Sequence, residues 1–107
     1  MRSWNPKGIC DFHHRLGNKI TPLIQLPYLA KSLGIKNILV KDESSRLGLN
    51  SFKPLGASYS MHKQIDNNPN IEVFCTATDG NHGRSVAWMA RKLKKRSVIY
   101  VPYGTTE

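Results

Sequence analysis

Residues 71–101, IEVFCTATDGNHGRSVAWMARKLKKRSVIYV, decide the fold because they place one amphipathic segment between two apolar, β-branched segments. Residues 71–78 and 97–102 are rich in Val, Ile, Phe, Tyr and Thr, which predicts two strands. Between them, four apolar side chains stand at i, i+3, i+4 and i+7, namely Val86, Met89, Ala90 and Leu93. This spacing predicts a helix with one core-facing side. Strand, helix and strand with short connections predict a right-handed parallel βαβ unit, so the fold class is α/β.

The segment before residue 71 repeats the alternation. Pro27 suits a first helical turn, so residues 28–33 predict a short helix that stops at Gly34. Residues 38–41 predict a strand and residues 44–52 a loop. A longer helix is expected over residues 54–66, before the turn sequence Asn-Asn-Pro-Asn. The architecture is therefore expected to consist of parallel βαβ units with flanking helices, cut off where residues 103–106 read as the start of another helix.

Composition limits the classes of protein that this chain can represent. It has 107 residues, with 16 Lys and Arg against 7 Asp and Glu, for a net charge of +9. The basic excess is spread along the chain except for residues 91–96, where cations at a helix end complement the helix dipole. A small basic nucleic-acid-binding module is the alternative from a different class. No apolar run approaches the roughly 20 residues of a membrane span, and residues 1–6 lack a secretory signal, so a cytoplasmic protein is expected.

Cysteine and histidine spacing gives no sign of a metal site. Cys10 and Cys75 are far apart in the sequence, and the four histidines match no metal-ligand pattern. We therefore predict neither a metal centre nor a disulfide framework.

Lys53 is the first candidate for chemistry. It precedes Pro54 at the predicted helix start, where the helix dipole and burial both disfavour the ammonium form and favour a nucleophilic amine. Phe52 stands before it, and three small residues follow, which allow a flat ring to approach: Gly56, Ala57 and Ser58. On its own, this pattern is also typical of a solvated lysine.

The second candidate is the turn TDGNHGR, residues 78–84, between a strand and a helix. The amide of Asn81 can hydrogen-bond a ligand oxygen, and the free N–H groups at a helix start can receive an anion. The alternative is a plain N-cap in which Asp79 or Asn81 accepts from these N–H groups. His82 is interpreted as a packing or capping residue rather than a base.

Together, the two motifs carry a resemblance to a known family. The strings KDESSRLGLNSFKPLGASY (residues 41–59), TDGNHGR (residues 78–84) and VAW (residues 86–88), in this order, resemble the diaminopropionate ammonia-lyases. These enzymes depend on pyridoxal phosphate and have the tryptophan synthase β-like fold, called fold type II. The resemblance runs from about residue 21 to residue 103 and implies a partial fold type II architecture.

The resemblance also implies roles for individual residues. Lys53 is expected to form the Schiff base with pyridoxal phosphate, with Phe52 beside it, and Asn81 to hydrogen-bond the 3′ oxygen of the cofactor. Asp79 is expected to act on the substrate α-proton of at least one enantiomer, because related dehydratases carry a small residue there. The implied reaction is α,β-elimination of ammonia from 2,3-diaminopropionate, after which aminoacrylate hydrolyses to pyruvate and a second ammonia.

Further expectations concern domains, completeness and partners. The resemblance assigns residues 1–53 to part of a large domain and residues 54–107 to the start of a small one. It places a glycine-rich phosphate loop, a partner for the pyridine nitrogen and a second catalytic acid after residue 107, so the chain alone is expected to be inactive. A homodimer is implied for the full-length enzyme. A serine or threonine dehydratase is the alternative within enzymes.

Overall fold

The computed structural model describes residues 6–105. It contains four α-helices within that range: α1 (Pro6–Arg15), α2 (Pro27–Ser32), α3 (Lys53–Asn67) and α4 (Asn81–Lys92). The strands in the same range are β1 (Leu23–Gln25), β2 (Leu39–Lys41), β3 (Val73–Ala77) and β4 (Arg96–Tyr100). None of these helices is long and apolar enough to cross a membrane. Two predictions fall on residues outside this range. They are the lack of a secretory signal, which concerns residues 1–5, and the further helix start, which includes Thr106.

The segment β3–α4–β4 forms the parallel βαβ unit that the sequence predicts. β3 and β4 pair in parallel, with Val73 opposite Arg96 and Ala77 opposite Tyr100. The ladder continues past β3, because Thr78 N–H donates to the Tyr100 carbonyl at 2.9 Å. The turn from β3 into α4 therefore lies where both strands have their carboxyl ends.

β2 does not join this sheet. It pairs antiparallel with β1, with Leu23 opposite Lys41 and Gln25 opposite Leu39. The sequence predicts only an extended stretch around residues 21–23, because three residues are too few for the alternating pattern that identifies a strand. The α/β class is confirmed, and the parallel unit within it is β3–α4–β4.

α1 is a helix that the sequence analysis did not predict. It begins at Pro6, carries His13, His14 and Arg15 in its last turn, and buries Phe12. Gly17, with φ of 84°, follows it. The spacing of Ile9, Phe12 and Leu16 along the chain is the apolar signal that indicates this helix.

The core lies where α3 and α4 pack against each other and against β3, with α1 on the outer side of α3. Its buried apolar members are Phe12, Ala57, Met61, Phe74, Val86, Met89 and Ala90. The predicted apolar stripe of α4 is confirmed, because three of its four members are buried and Leu93 packs against them. Ser58 and Ser85 are fully buried, and their hydroxyls donate to the carbonyls of Leu55 and Asn81. Small side chains thus let the two helices approach closely.

Candidate active site at the starts of two helices

Lys53 is the first residue of α3, as the proline after it predicts. Its backbone N–H donates to the Ser51 hydroxyl at 3.1 Å, which fixes the chain direction just before the helix. Its side chain is exposed, and the ammonium lies 5.0 Å from the centroid of the Phe52 ring. Phe52 itself is 59% exposed. The amine and the ring are thus neighbours on an open surface, where both can meet a flat ligand.

The loop before Lys53 is anchored by Arg46. The Arg46 guanidinium is buried and forms a two-pronged ion pair with Glu43, at 2.6 Å from Nε and 2.7 Å from Nη2. The hydroxyl of Thr21 also donates to Glu43, at 2.7 Å. Hydrogen bonds from Arg46 and Thr21 lower the pKa of Glu43 to about 2, from an ordinary value of 4.5. This carboxylate therefore stays ionised at any physiological pH.

The turn before α4 carries two polar side chains, Asp79 and Asn81, that take no part in capping the helix. Gly80 occupies the N-cap position of α4, and no side chain among residues 6–105 caps the helix. The N–H of Gly80 is bound instead by the Thr78 hydroxyl, at 3.3 Å. The capping alternative for Asp79 and Asn81 is therefore wrong. Both side chains are exposed, beside the N–H groups and the positive dipole end of α4.

The two helix starts lie at the same end of the α3–α4 pair. Gly56 and Ala57 from the first turns of α3, and His82 and Val86 from α4, line one cavity of about 270 Å³. His82 is half-buried there, in agreement with the packing role expected for it. Lys53 and Asn81 thus begin neighbouring helices. Among residues 6–105 no hydrogen bond joins the Lys53 amine to Asp79 or Asn81.

Asp79 faces open space at the carboxyl ends of the parallel strands. It lines a cavity of about 320 Å³ whose other walls include Gly83, Ile99 and Val101. In an open α/β sheet this edge is where ligands bind. The cavity walls are mainly apolar, so Asp79 contributes a charged group to a largely apolar site.

The arrangement as a whole offers an accessible amine, a carboxylate and an amide at adjoining helix starts. An amine next to an aromatic face can attack a carbonyl carbon. The Asn81 amide and the helix N–H groups can bind an oxygen that carries negative charge. The sequence analysis missed the anchor formed by Arg46, although an arginine three residues after a glutamate is its visible signal.

Comparison with known proteins identifies the family to which the chain belongs. Residues 14–107 match the family model described as pyridoxal-phosphate dependent enzyme. The diaminopropionate ammonia-lyase of Salmonella typhimurium is 44% identical over an alignment of 120 positions, and the match covers 92% of this chain and 30% of that protein. An L-threonine dehydratase of Lactococcus lactis is 38% identical over 85 residues, 79% of this chain and 20% of its own length.

Solved structures agree with the sequence comparison. The crystal structure of the Escherichia coli diaminopropionate ammonia lyase, in complex with an aminoacrylate-PLP azomethine reaction intermediate, matches with a TM-score of 0.83 and 38% identity. The match covers 97% of this chain and 32% of that one. This chain therefore spans about 30% of the length of its ammonia-lyase relatives. With most of its residues matched by the family model and its fold shared with a solved lyase, the chain belongs to the family of pyridoxal-phosphate dependent enzymes.

Proposed function

We propose that the chain is the lysine-bearing part of an enzyme that eliminates ammonia from 2,3-diaminopropionate, giving pyruvate and a second ammonia. The observation that carries the proposal is the exposed carboxylate of Asp79, directly before Gly80 and Asn81 and free of any capping role. The resemblance implies that ammonia-lyases carry an acid at this place, whereas related dehydratases carry a small residue there.

The residues present fit pyridoxal phosphate as a cofactor. The amine of Lys53 is accessible, and the Phe52 ring lies beside it. A Cβ added at Gly56 or Gly80 would meet no atom within 4 Å, so both backbones border open space. The amide of Asn81 stands at the uncapped start of α4, where an anionic oxygen is favoured. When bound, the cofactor supplies a conjugated ring that withdraws electrons from the substrate α-carbon.

The residues of this chain perform the remaining tasks. Lys53 would hold the cofactor through its amine until the substrate amine replaces it. Asn81 would orient the ring by donating an amide hydrogen bond to its 3′ oxygen. Asp79 would take the proton from the α-carbon of one enantiomer, because Asp79 is exposed and lines the cavity at the strand ends. Loss of the β-amino group as ammonia then completes the elimination.

Domain organisation, assembly and location extend the proposal. We propose that residues 1–53 contribute to a large domain and residues 54–107 open a small one. Assembly as a homodimer follows from the resemblance, and a cytoplasmic location is part of the same proposal.

A segment exchange tests the function. The part of the E. coli ammonia lyase that matches this chain is replaced by residues 1–107. Release of pyruvate from 2,3-diaminopropionate and of 2-oxobutyrate from threonine is then measured. We expect the exchanged enzyme to prefer 2,3-diaminopropionate. Replacement of Lys53 by Ala should abolish turnover, and replacement of the exposed Lys63 should not.

Threonine dehydratase is the second candidate, because the Lactococcus lactis enzyme is 38% identical to this chain. An exchanged enzyme that releases oxobutyrate from threonine faster than pyruvate from 2,3-diaminopropionate would favour it. An exchanged enzyme whose Lys53→Ala variant keeps full turnover contradicts both candidates.

A further inference from the structure

We propose that Arg46 is a positioning residue for Lys53: it clamps the loop between β2 and α3 and thereby sets where the lysine amine stands. The proposal rests on the proposed function only in naming pyridoxal phosphate as the molecule that Lys53 meets. The clamp itself is read from the contacts of the loop.

The first support is the number of bonds that Arg46 forms. Its side chain is 7% exposed, and each of its three nitrogens donates a hydrogen bond. Nε and Nη2 bind the two carboxylate oxygens of Glu43. Nη1 donates to the Lys19 carbonyl at 2.7 Å and to the Asn18 side chain at 2.5 Å, and Nη2 donates to the Thr21 hydroxyl at 2.9 Å. One planar group thus ties the start of the loop to residues 18–21.

The second support is the backbone between Arg46 and Lys53. Leu47, Gly48 and Asn50 all have positive φ, at 50°, 72° and 55°. Leucine rarely adopts this left-handed conformation, because its Cβ crowds the backbone. Such conformations persist only where the surrounding structure holds them in place. The side-chain bonds of Arg46 fix the residue that immediately precedes this stretch.

The third support is that residues 42–52, all of which the structure describes, add no side chain to the apolar core. The apolar core described above draws its members from α1, α3, α4 and the strands after residue 70, and none from residues 42–52. Polar contacts therefore hold the loop, first at Arg46 and then at the buried Ser51, whose hydroxyl accepts the N–H of Lys53. Only six residues separate Arg46 from Lys53, so a shift at the clamp reaches the amine.

The test uses the purified 107-residue chain with and without the clamp. Pyridoxal phosphate is added and fixed to lysine with sodium cyanoborohydride, and mass spectrometry measures the share of label on Lys53. The chain has ten lysines, so random attachment gives Lys53 about a tenth of the label. Amide hydrogen exchange of residues 47–53 is measured in parallel without the cofactor, as a readout that involves no labelling.

Three variants are compared with the parent chain. Arg46→Ala removes the clamp, Thr21→Val removes one of its acceptors at similar side-chain volume, and Arg91→Ala removes an exposed arginine of α4 as the matched control. We expect Arg46→Ala to lower the Lys53 share from a majority towards a tenth and to speed exchange in residues 47–53 at least tenfold, with exchange in α4 unchanged. Thr21→Val should lie between these results, and Arg91→Ala should match the parent.

The outcomes separate the two proposals. A parent chain with scattered label contradicts the role proposed for Lys53, while hydrogen exchange still tests the clamp. If the parent is labelled selectively on Lys53, and both clamp variants retain this selectivity and exchange their amides as slowly as the parent, the positioning role of Arg46 is wrong. The role proposed for Lys53 is then still supported. If Arg46→Ala loses its circular dichroism signal and is therefore unfolded, the Thr21→Val variant tests the clamp instead. Unchanged amide exchange in residues 47–53 of Thr21→Val would then overturn the proposal.

Discussion

Replacement of Gly83 by alanine should separate α4 from β4 and disturb the turn that carries Asp79. A Cβ on Gly83 would stand 2.7 Å from a methyl carbon of Ile99 and 2.7 Å from one of Thr78. Both neighbours are β-branched, so neither can rotate away freely. The first turn of α4 must therefore lift from the sheet, and Asn81 moves with it.

The cost follows from two opposing terms. Overpacking a tight contact costs roughly 1–3 kcal/mol. Alanine in a helix returns roughly 0.5–1 kcal/mol relative to glycine. The net loss in the free energy of unfolding is about 1.5 kcal/mol, and the melting temperature falls by about 6–12 °C for a domain of this size.

Gly56 supplies the matched control. It lies inside α3, its φ is not positive, and a Cβ there meets no atom within 4 Å. Gly56→Ala should therefore stabilise the chain by about 0.5–1 kcal/mol. Urea and thermal unfolding of the 107-residue chain, followed by circular dichroism, measure both variants. If Gly83→Ala is as stable as Gly56→Ala, the close contact between α4 and β4 is refuted.

Three further predictions concern the clamp, the acid and the first helix. Because the pKa of Glu43 is lowered to about 2, its stabilising effect is complete above its ordinary pKa of 4.5 and is lost as the pH falls towards 2. Glu43→Gln should lower the free energy of unfolding by about 2 kcal/mol at pH 7, a figure that allows for screening by solvent. Between pH 5 and 2, the free energy of unfolding from urea titrations should depend less on pH in this variant than in the parent. The same pH dependence in Glu43→Gln and in the exposed control Glu72→Gln would refute this. In the segment-exchanged enzyme, Asp79→Asn should lower kcat for one enantiomer of 2,3-diaminopropionate by at least a hundredfold and spare the other, and equal losses for both would show that Asp79 does not select by stereochemistry. Phe12→Ala should cost about 3–4 kcal/mol, because the Phe12 ring is buried and stacks on His62 at 4.7 Å, and a denaturation midpoint within error of the parent would remove α1 from the core.

The fold was predictable where the apolar pattern is long. The stripe of α4, with Val86, Met89 and Ala90 on one face, identifies its helix and its buried side, and the strands on either side follow from their β-branched residues. β1 and β2 have three residues each, which is too short for a pattern, and their antiparallel pairing depends on contacts between distant parts of the chain.

The sequence predicts candidate site residues but not their geometry, and the roles of these residues stay predictions. Motifs identified Lys53, Asp79 and Asn81, and only the structure establishes that Gly80 caps α4 and leaves the two polar side chains free. Of the clamp at Arg46, only the pair with Glu43 has a local signal in the sequence, because the other partners lie 25 to 28 residues away. Contacts of this kind leave no local pattern.

The position of the cofactor in the segment-exchanged enzyme tests the central claim most directly. The enzyme is reduced with borohydride, digested with trypsin and analysed by mass spectrometry. The account predicts one pyridoxyl group, on Lys53. A pyridoxyl group on any other lysine, or none in a folded enzyme, would contradict it.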